Sequence, residues 1–457
     1  KSKEAPAGAL QDGVSCTITN FKMNVFKFKK WLGTAEGKPF EEKGKGFDDG
    51  CYLTSAVLRA FMPRGYTHFQ FTNSSGGTAS AVLRGFFKFT GLTAADEDEE
   101  SNATAEADSF MFHGYKMEDA SRFVVTTKSN GENGKYAVRK IFGEWYCFAG
   151  SKNTGNVWKI GSDVDSLYPI PHDSIASVGP KIISQTHRII GAMTDSQRLK
   201  FMETVDTNRL TVMIELNDDE HEHIFPINSI RSDHVALLNA SGYPLPQKQA
   251  YSSFDEYGLE RDKCDVWTEM SKLSGVMEEI RKSKETEGAV IYLERSDDLA
   301  VGLIKVKSDH YVVARRTREI LRGLVTKASK GQNLDIQETC KRLKNGMKEL
   351  RHVAGFQEKH EAWSQHAVAF AESWATAFEA GNATRKKALA IEFTNKYGSL
   401  YDRFLKTQSV LPLSKFSLEM AESAELASPK DEDLEHEDGQ RESGRSRKGR
   451  GKGKQNR

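Results

Sequence analysis

The chain is short of the features that would make an assignment easy. Its five cysteines, Cys16, Cys51, Cys147, Cys264 and Cys340, are odd in number, widely scattered and never spaced as C-x-x-C. That argues against a disulfide framework or a cysteine zinc site and fits a reducing compartment, cytoplasmic or nuclear. No apolar run approaches the roughly 20 residues of a membrane span. No signal-peptide pattern opens the sequence, which begins at Lys1 rather than Met, as a processed product or a fragment would. Net charge is lacking too. The 65 Lys and Arg nearly cancel the 64 Asp and Glu, so only local clusters can attract nucleic acid. No G-x-x-x-x-G-K-[ST] occurs: GENGKY (131–136) fails the spacing and lacks Ser or Thr, which argues against P-loop phosphate chemistry. HEAWSQH (360–366) is not H-E-x-x-H, because its second His lies six residues on, which removes that class of metalloprotease.

What remains is a chain of 457 residues, 38% of them hydrophobic, enough for one large domain or two to three ordinary ones. Residues 1–13 are small and polar and read as disordered. From Cys16 to Leu92 aromatics and Gly alternate with charges, suggesting strands and short helices, until DEDEESNATAEAD (96–108) interrupts as an acidic, solvated insertion over 94–108. Residues 110–320 are strand-rich: FVVTTK, VRKIF, WYCFAG, RLTVMIEL, GAVIYLE and VGLIKV are β-branched and aromatic runs bounded by turn signals. From Asp335 to Leu405 the period becomes helical, with Trp363, Ala367, Phe370, Trp374 and Phe378 on one stripe and Gly381-Asn382 as a stop before a helix over Arg385–Tyr397. A stripe of this kind either binds a partner or packs on its own protein, and packing is the commoner use. After Leu413 the chain turns polar, then acidic (DEDLEHED), then basic (RESGRSRKGRGKGKQNR). That ending reads as a flexible tail, suited to phosphate attraction or nuclear import, or simply solvated. These shifts divide the chain into 14–325, a helical 326–413 and a disordered 414–457.

The chemistry is carried by short stretches. TTKSNGENGKY (126–136) holds two Asn-Gly pairs, each a hairpin signal, and a K-x-N-G in which Lys128 is either part of a turn or a nucleophile. AGSKNTG (149–155) offers Lys152 at the end of an aromatic strand. TVMIEL (211–216) places Glu215 after apolar and β-branched residues, and EGAVIYLE places Glu287 at the entrance of another strand. Lys305 and Lys307 of LIKVKS lie two apart, so they share one strand face while Ile304 and Val306 take the other. DDEHEH (218–223) can hold a divalent metal through His221 and His223, although without clustered Cys or further spaced His the solvated reading weighs more. Each of these is commonplace alone.

Their order is not. K-x-N-G, S-K-x-x-G, a strand-borne Glu, E-G-x-V and K-x-K resemble, in sequence, five motifs of the covalent nucleotidyltransferases, the polynucleotide ligases and messenger-RNA capping enzymes. RGFF (84–87), IELNDDEHEH (214–223) and KVKSDHYVVARRTRE (305–319) resemble elements of the phage-type and fungal tRNA-type RNA ligases. The resemblance covers residues 80–320, about half the chain.

The resemblance implies an α+β nucleotidyltransferase fold, with antiparallel sheets flanking a nucleotide cleft and a C-terminal all-helical domain. It implies an ATP-dependent RNA ligase whose Lys128 takes AMP from ATP, passes it to an RNA 5′-phosphate and releases it when a 3′-hydroxyl attacks. It assigns Glu287 to Mg²⁺ (or Mn²⁺), Glu215 to ribose or metal, Arg84 to phosphate, and Asn130, Gly131, Lys152, Lys305 and Lys307 to the nucleotide. Tyr243, in GYPLP (242–246), is the candidate stacked on adenine. Lys128 must attack unprotonated, and crowding by Lys305, Lys307 and Lys152 with partial burial is expected to lower its pKa. The implied partner is RNA, with tRNA halves among the candidates in tRNA splicing or RNA repair. No P-loop kinase accompanies the ligase motifs, so end-healing by kinase and phosphodiesterase falls to another protein or a missing portion of the chain. A monomer without a membrane partner is expected. Two rival readings remain: a GTP-dependent capping-type enzyme, which carries a β-rich domain where this chain turns helical, and a non-catalytic RNA-binding protein using basic and aromatic surfaces.

Overall fold

The computed structural model describes residues 2–21, 56–89, 91, 110–171, 174–284, 286–332, 335–350 and 356–426. The acidic insertion and the basic tail lie outside the described residues. Three antiparallel sheets are built from the β-branched and aromatic runs, and helices follow, giving an α+β architecture. The first sheet has the order β1-β2-β3-β4, with β1 Ser2–Glu4, β2 Val14–Asn20, β3 Thr67–Asn73 and β4 Thr78–Leu83. Its first strand corrects the expectation of a disordered N-terminus: Ser2 pairs with Thr19, Ala9 is fully buried, and the Lys159 amide donates to the Ala9 carbonyl at 2.7 Å. Polar composition there concealed backbone pairing, which side-chain character does not encode.

The other two sheets frame the site. One has β5 Arg122–Lys128, β11 Cys264–Trp267, β12 Gly288–Glu294 and β13 Ala300–Lys307 in the order β11-β5-β12-β13. The other has β6 Glu132–Ile141, β7 Glu144–Ser151, β8 Asn156–Lys159, β9 Thr211–Asn217 and β10 Arg231–Leu238 in the order β10-β9-β6-β7-β8. Alternation divides the first of these cleanly. Phe123, Val125, Ile291, Leu293, Ile304 and Val306 face one core with the helix Leu273–Lys282, while Val124, Tyr292 and Leu303 turn to the opposite face. The turn between β6 and β7 is Phe142-Gly143, at φ 49° and 88°. Asn133-Gly134, expected as a hairpin turn, instead lies within β6, where Gly134 packs so close to Ile214 that an added Cβ would lie 2.8 Å from its Cγ1. The stretch 110–320 is also less uniformly stranded than its composition suggests. The helices Ser174–Ala192 and Asp195–Thr207 press Ile182, Ile183 and Phe201 onto β6 and β7.

From Asp309 onward every named element of the described residues is a helix: Asp309–Ser329, Ile336–Glu349, Phe356–Glu379, Ala383–Asn395, Tyr397–Thr407 and Lys415–Leu426. Ala367, Phe370, Trp374 and Phe378 are buried in one cluster with Tyr311, Leu324, Phe393 and Phe404, so the apolar stripe packs within its own protein. Apart from Ile224 and Phe225 that cluster is drawn from Tyr311 onward, and the first helix runs unbroken past residue 325, so the helical region starts directly after β13. Lys415–Leu426 also corrects the expectation that order ends at residue 413.

Gly288 is the joint of the β11-β5-β12-β13 sheet. It pairs with Lys128 on one side and Lys307 on the other, at φ 139°, and a Cβ there would meet the Val306 carbonyl oxygen at 1.9 Å. A side chain has neither the torsion nor the space. Gly288→Ala is expected to cost roughly 2–4 kcal/mol, read as a lowered urea midpoint; an unchanged midpoint would refute this account of the joint.

Candidate catalytic site

Lys128 closes β5 and projects into a cavity of about 380 Å³, a size typical of small-molecule sites. Its amine is 2.8 Å from Glu287 Oε1 and the side chain is 24% exposed. Glu287 is buried just before β12, and its Oε2 accepts from Asn130 Nδ2 at 3.0 Å. Asn130 Oδ1 in turn accepts from the amide of Ile224 at 2.8 Å. Glu215 reaches the cavity from β9. Lys305 and Lys307 reach it from β13, both buried, on the face opposite Ile304 and Val306. Since Gly288 pairs with both Lys128 and Lys307, those two lysines occupy one register row two strands apart, roughly 10 Å by the ladder spacing. Lys152 lines the same cavity from the end of β7.

Electrostatics oppose the expectation of a depressed lysine. Burial alone would lower the Lys128 pKa, but Glu287 and Glu215, with a smaller push from Tyr311, raise it well above the ordinary lysine value. The amine in this state is a firmly held ammonium. The sequence shows the lysines that would crowd it, but not the closer approach of Glu287. Glu215 is the complement. Burial pushes its carboxyl up to about 8 against the pull of Lys128, with Glu287, Glu132 and Asp262 adding repulsion. Burial and Asp233 likewise raise Asp262 to about 7. Ser129 Oγ lies 2.9 Å from Asp262 Oδ1 and 3.0 Å from Asp233 Oδ2; one hydroxyl proton serves one of them at a time.

A carboxyl raised from 4.5 to about 8 binds its proton more tightly in the folded chain than in the unfolded one. Its contribution to stability is therefore greatest below pH 4.5 and falls as pH rises toward about 8. Glu215→Gln is expected to flatten the fall in Tm between about pH 5 and about pH 9, by roughly 1–2 °C for each kcal/mol of strain removed. Parallel melting curves for the two proteins would contradict that reading of Glu215.

Not every expected residue reaches the cavity. Arg84 does not line it; its guanidinium lies over the Tyr66 ring at 5.6 Å. Arg64 lines it instead, carried by the Arg-Gly-Tyr of 64–66, a second copy of the pattern that singled out Arg84. The two segments are locked together. Arg64 N donates to the Phe86 carbonyl at 3.0 Å, and a Cβ on Gly85 would meet the Arg64 carbonyl oxygen at 2.2 Å. Tyr243 also lies outside the lining, packed behind Phe87 at 5.4 Å and on Phe112 at 5.0 Å between ring centroids. The aromatic rings on the cavity wall are Phe86, Phe87, Phe89 and Tyr292. Asn130 and Gly131 support the site from behind. Asn130 orients Glu287, while Gly131 lets the bend pack on β9, where a Cβ would meet the Leu216 carbonyl oxygen at 2.3 Å. Lys88, Asn133, Asp262 and Arg315 also line the wall. Only Arg315 carried a sequence signal, as part of the ARRTR that follows the lysine pair.

No protein-family model matches the chain, and no curated protein sequence matches it. Among solved structures, two forms of an archaeal ATP-dependent RNA ligase are similar to it at 16% and 13% identity, over 79% and 90% of this chain and 84% and 100% of theirs, each with a TM-score of 0.41. A Naegleria gruberi RNA ligase mutant with ATP and Mn is similar at 10% identity over 43% of this chain and 52% of its own, with a TM-score of 0.28. Likenesses this distant carry no functional assignment.

Proposed function

We propose that the chain is an ATP-dependent RNA ligase that seals a 3′-hydroxyl to a 5′-phosphate through a lysyl-AMP and an RNA-adenylate. One observation carries this reading: the lysine of K-x-N-G meets the glutamates and lysines of four later motifs in a single cavity, with Glu287 at 2.8 Å. Lys128 Nζ attacks the α-phosphorus of ATP, forming a P–N bond as the bond to pyrophosphate breaks. An RNA 5′-phosphate oxygen then displaces the lysine and carries off the AMP. Finally the 3′-hydroxyl attacks that 5′-phosphate and AMP departs.

The chain's own groups supply positioning and charge. Lys305, Lys307, Lys152 and Arg64 offset the charge of the phosphates, and the phenylalanine rings beside them provide faces for a base. Glu215 and Glu287 are oxygen donors crowded enough to repel one another, a set suited to Mg²⁺ or Mn²⁺, which would add positive charge at the α-phosphate and pyrophosphate. With both carboxylates so engaged, Lys128 loses the counter-charges that hold its proton, and burial then favours the neutral amine. The helices after β13 stand where a capping enzyme carries a β-rich domain, which favours RNA sealing, in tRNA splicing or RNA repair, over capping. In this reading residues 14–307 are the adenylyltransferase part, and the protein works as a monomer with separate end-healing enzymes. The test is α-labelled ATP with Mg²⁺, followed by a denaturing gel. A labelled protein band is expected with ATP and not with GTP; no band with either, from protein first stripped of bound AMP, would reject the reading.

A further inference from the structure

DDEHEH lies in the connection between β9 and β10, and the structure sorts its side chains by face. Asp218 and Glu220 both accept from Lys181, at 2.7 and 2.8 Å. Glu222 is buried against the C-terminal helices, accepting from the Ser399 amide and hydroxyl at 2.7 Å each. The two histidines point the other way. His223 Nε2 is 3.0 Å and His221 Nε2 3.8 Å from the same oxygen of Glu132, at the start of β6. The rings are 5.5 Å apart and steeply inclined at 73°, so they converge on that oxygen rather than stack. One donor atom from each of the three residues lies within 4.8 Å of the others.

We propose that Glu132, His221 and His223 form a binding site for a zinc-class divalent cation, distinct from the carboxylates beside Lys128. Two imidazoles and a carboxylate are the donor set of many three-ligand zinc sites, and tetrahedral ligation at about 2.0–2.1 Å sets neighbouring donors about 3.3 Å apart. The observed 3.0 and 3.8 Å bracket that spacing. The sites are neighbours by register, since Asn133 pairs with Glu215 and Glu132 with Leu216. A cation here ties the 221–225 segment to β6, and that segment donates two amides to Asn130, the residue that orients Glu287. Lys152 and Arg318 lie near enough to act on Glu132 and His221, so an anion is the competing occupant; the Glu132 carboxylate disfavours it. The site stands whether or not Lys128 is a nucleophile.

The test uses the full chain, stripped with a chelator and titrated with Zn²⁺ and Co²⁺. After gel filtration about one equivalent of Zn²⁺ is expected to remain, and Co²⁺ to give visible bands of a nitrogen-ligated, low-coordinate ion that Zn²⁺ abolishes. His221→Ala/His223→Ala and Glu132→Gln are expected to lose both signals, while Lys128→Ala keeps them. Wild-type protein that retains no more Zn²⁺ than the double variant, or that shows only the spectrum of hydrated Co²⁺, overturns the proposal. So does protection of the site by inorganic phosphate in place of Zn²⁺.

Discussion

Lys128→Ala protein, incubated with α-labelled ATP and Mg²⁺, is expected to show no labelled band on a denaturing gel, where wild type does. Alanine has no amine, and the two lysines of β13 are poorly placed to substitute. Lys307 sits two strands away, roughly 10 Å along the ladder, and Lys305 one pleat beyond it. Lys128→Arg is expected to fail equally. Its guanidinium keeps the positive charge opposite Glu287 but stays protonated at any working pH, so this variant separates the charge of the residue from its nucleophilicity. Both variants should still seal RNA supplied already adenylylated at its 5′ end, because the last step needs the cavity and its cations but no free amine. Loss of that activity too would point to a damaged fold. A labelled band in either variant would remove Lys128 as the nucleophile.

The elements that built this site were unequally visible in the sequence. β5, β9, β12 and β13 announced themselves because β-branched and aromatic runs specify pleated, half-buried strands. The period of two put Lys305 and Lys307 on one face opposite Ile304 and Val306, which is how they lie. What sequence could not supply was approach across the chain. Lys128 reads as a lysine among lysines, yet its nearest charged partner is Glu287, 159 positions on, at 2.8 Å. Arg64 and Arg84 carry the same Arg-Gly-aromatic pattern, and only the packing of one segment against the other decides which guanidinium enters the cavity. Glu132 stands 91 positions from His223, so no local spacing links them. Tyr243 was a reasonable aromatic by position, but Phe87 stands in front of it.

Replacing Glu287 by Gln is expected to produce an effect that no role in packing alone would give: a more reactive lysine in a less active enzyme. The amide keeps the volume and can still meet Asn130, but it removes the strongest of the charges that raise the Lys128 pKa. Burial, which pulls that pKa down, then faces only Glu215 and Tyr311. In nucleotide-free protein at about pH 8, Lys128 should therefore be acylated faster by an amine-directed reagent, roughly tenfold for each unit of pKa lost, as read by peptide mapping. Transfer of AMP from ATP should nevertheless collapse, since one of the two carboxylates suited to the divalent cation has gone. Raising Mg²⁺ or Mn²⁺ should recover part of it, whereas raising pH should not. If Glu287 served only to anchor Lys128, the variant would lose both reactivities together; if it were dispensable, neither would change. Opposite movements of the two are the signature of a carboxylate that holds the lysine charged at rest and releases it when a cation takes its place.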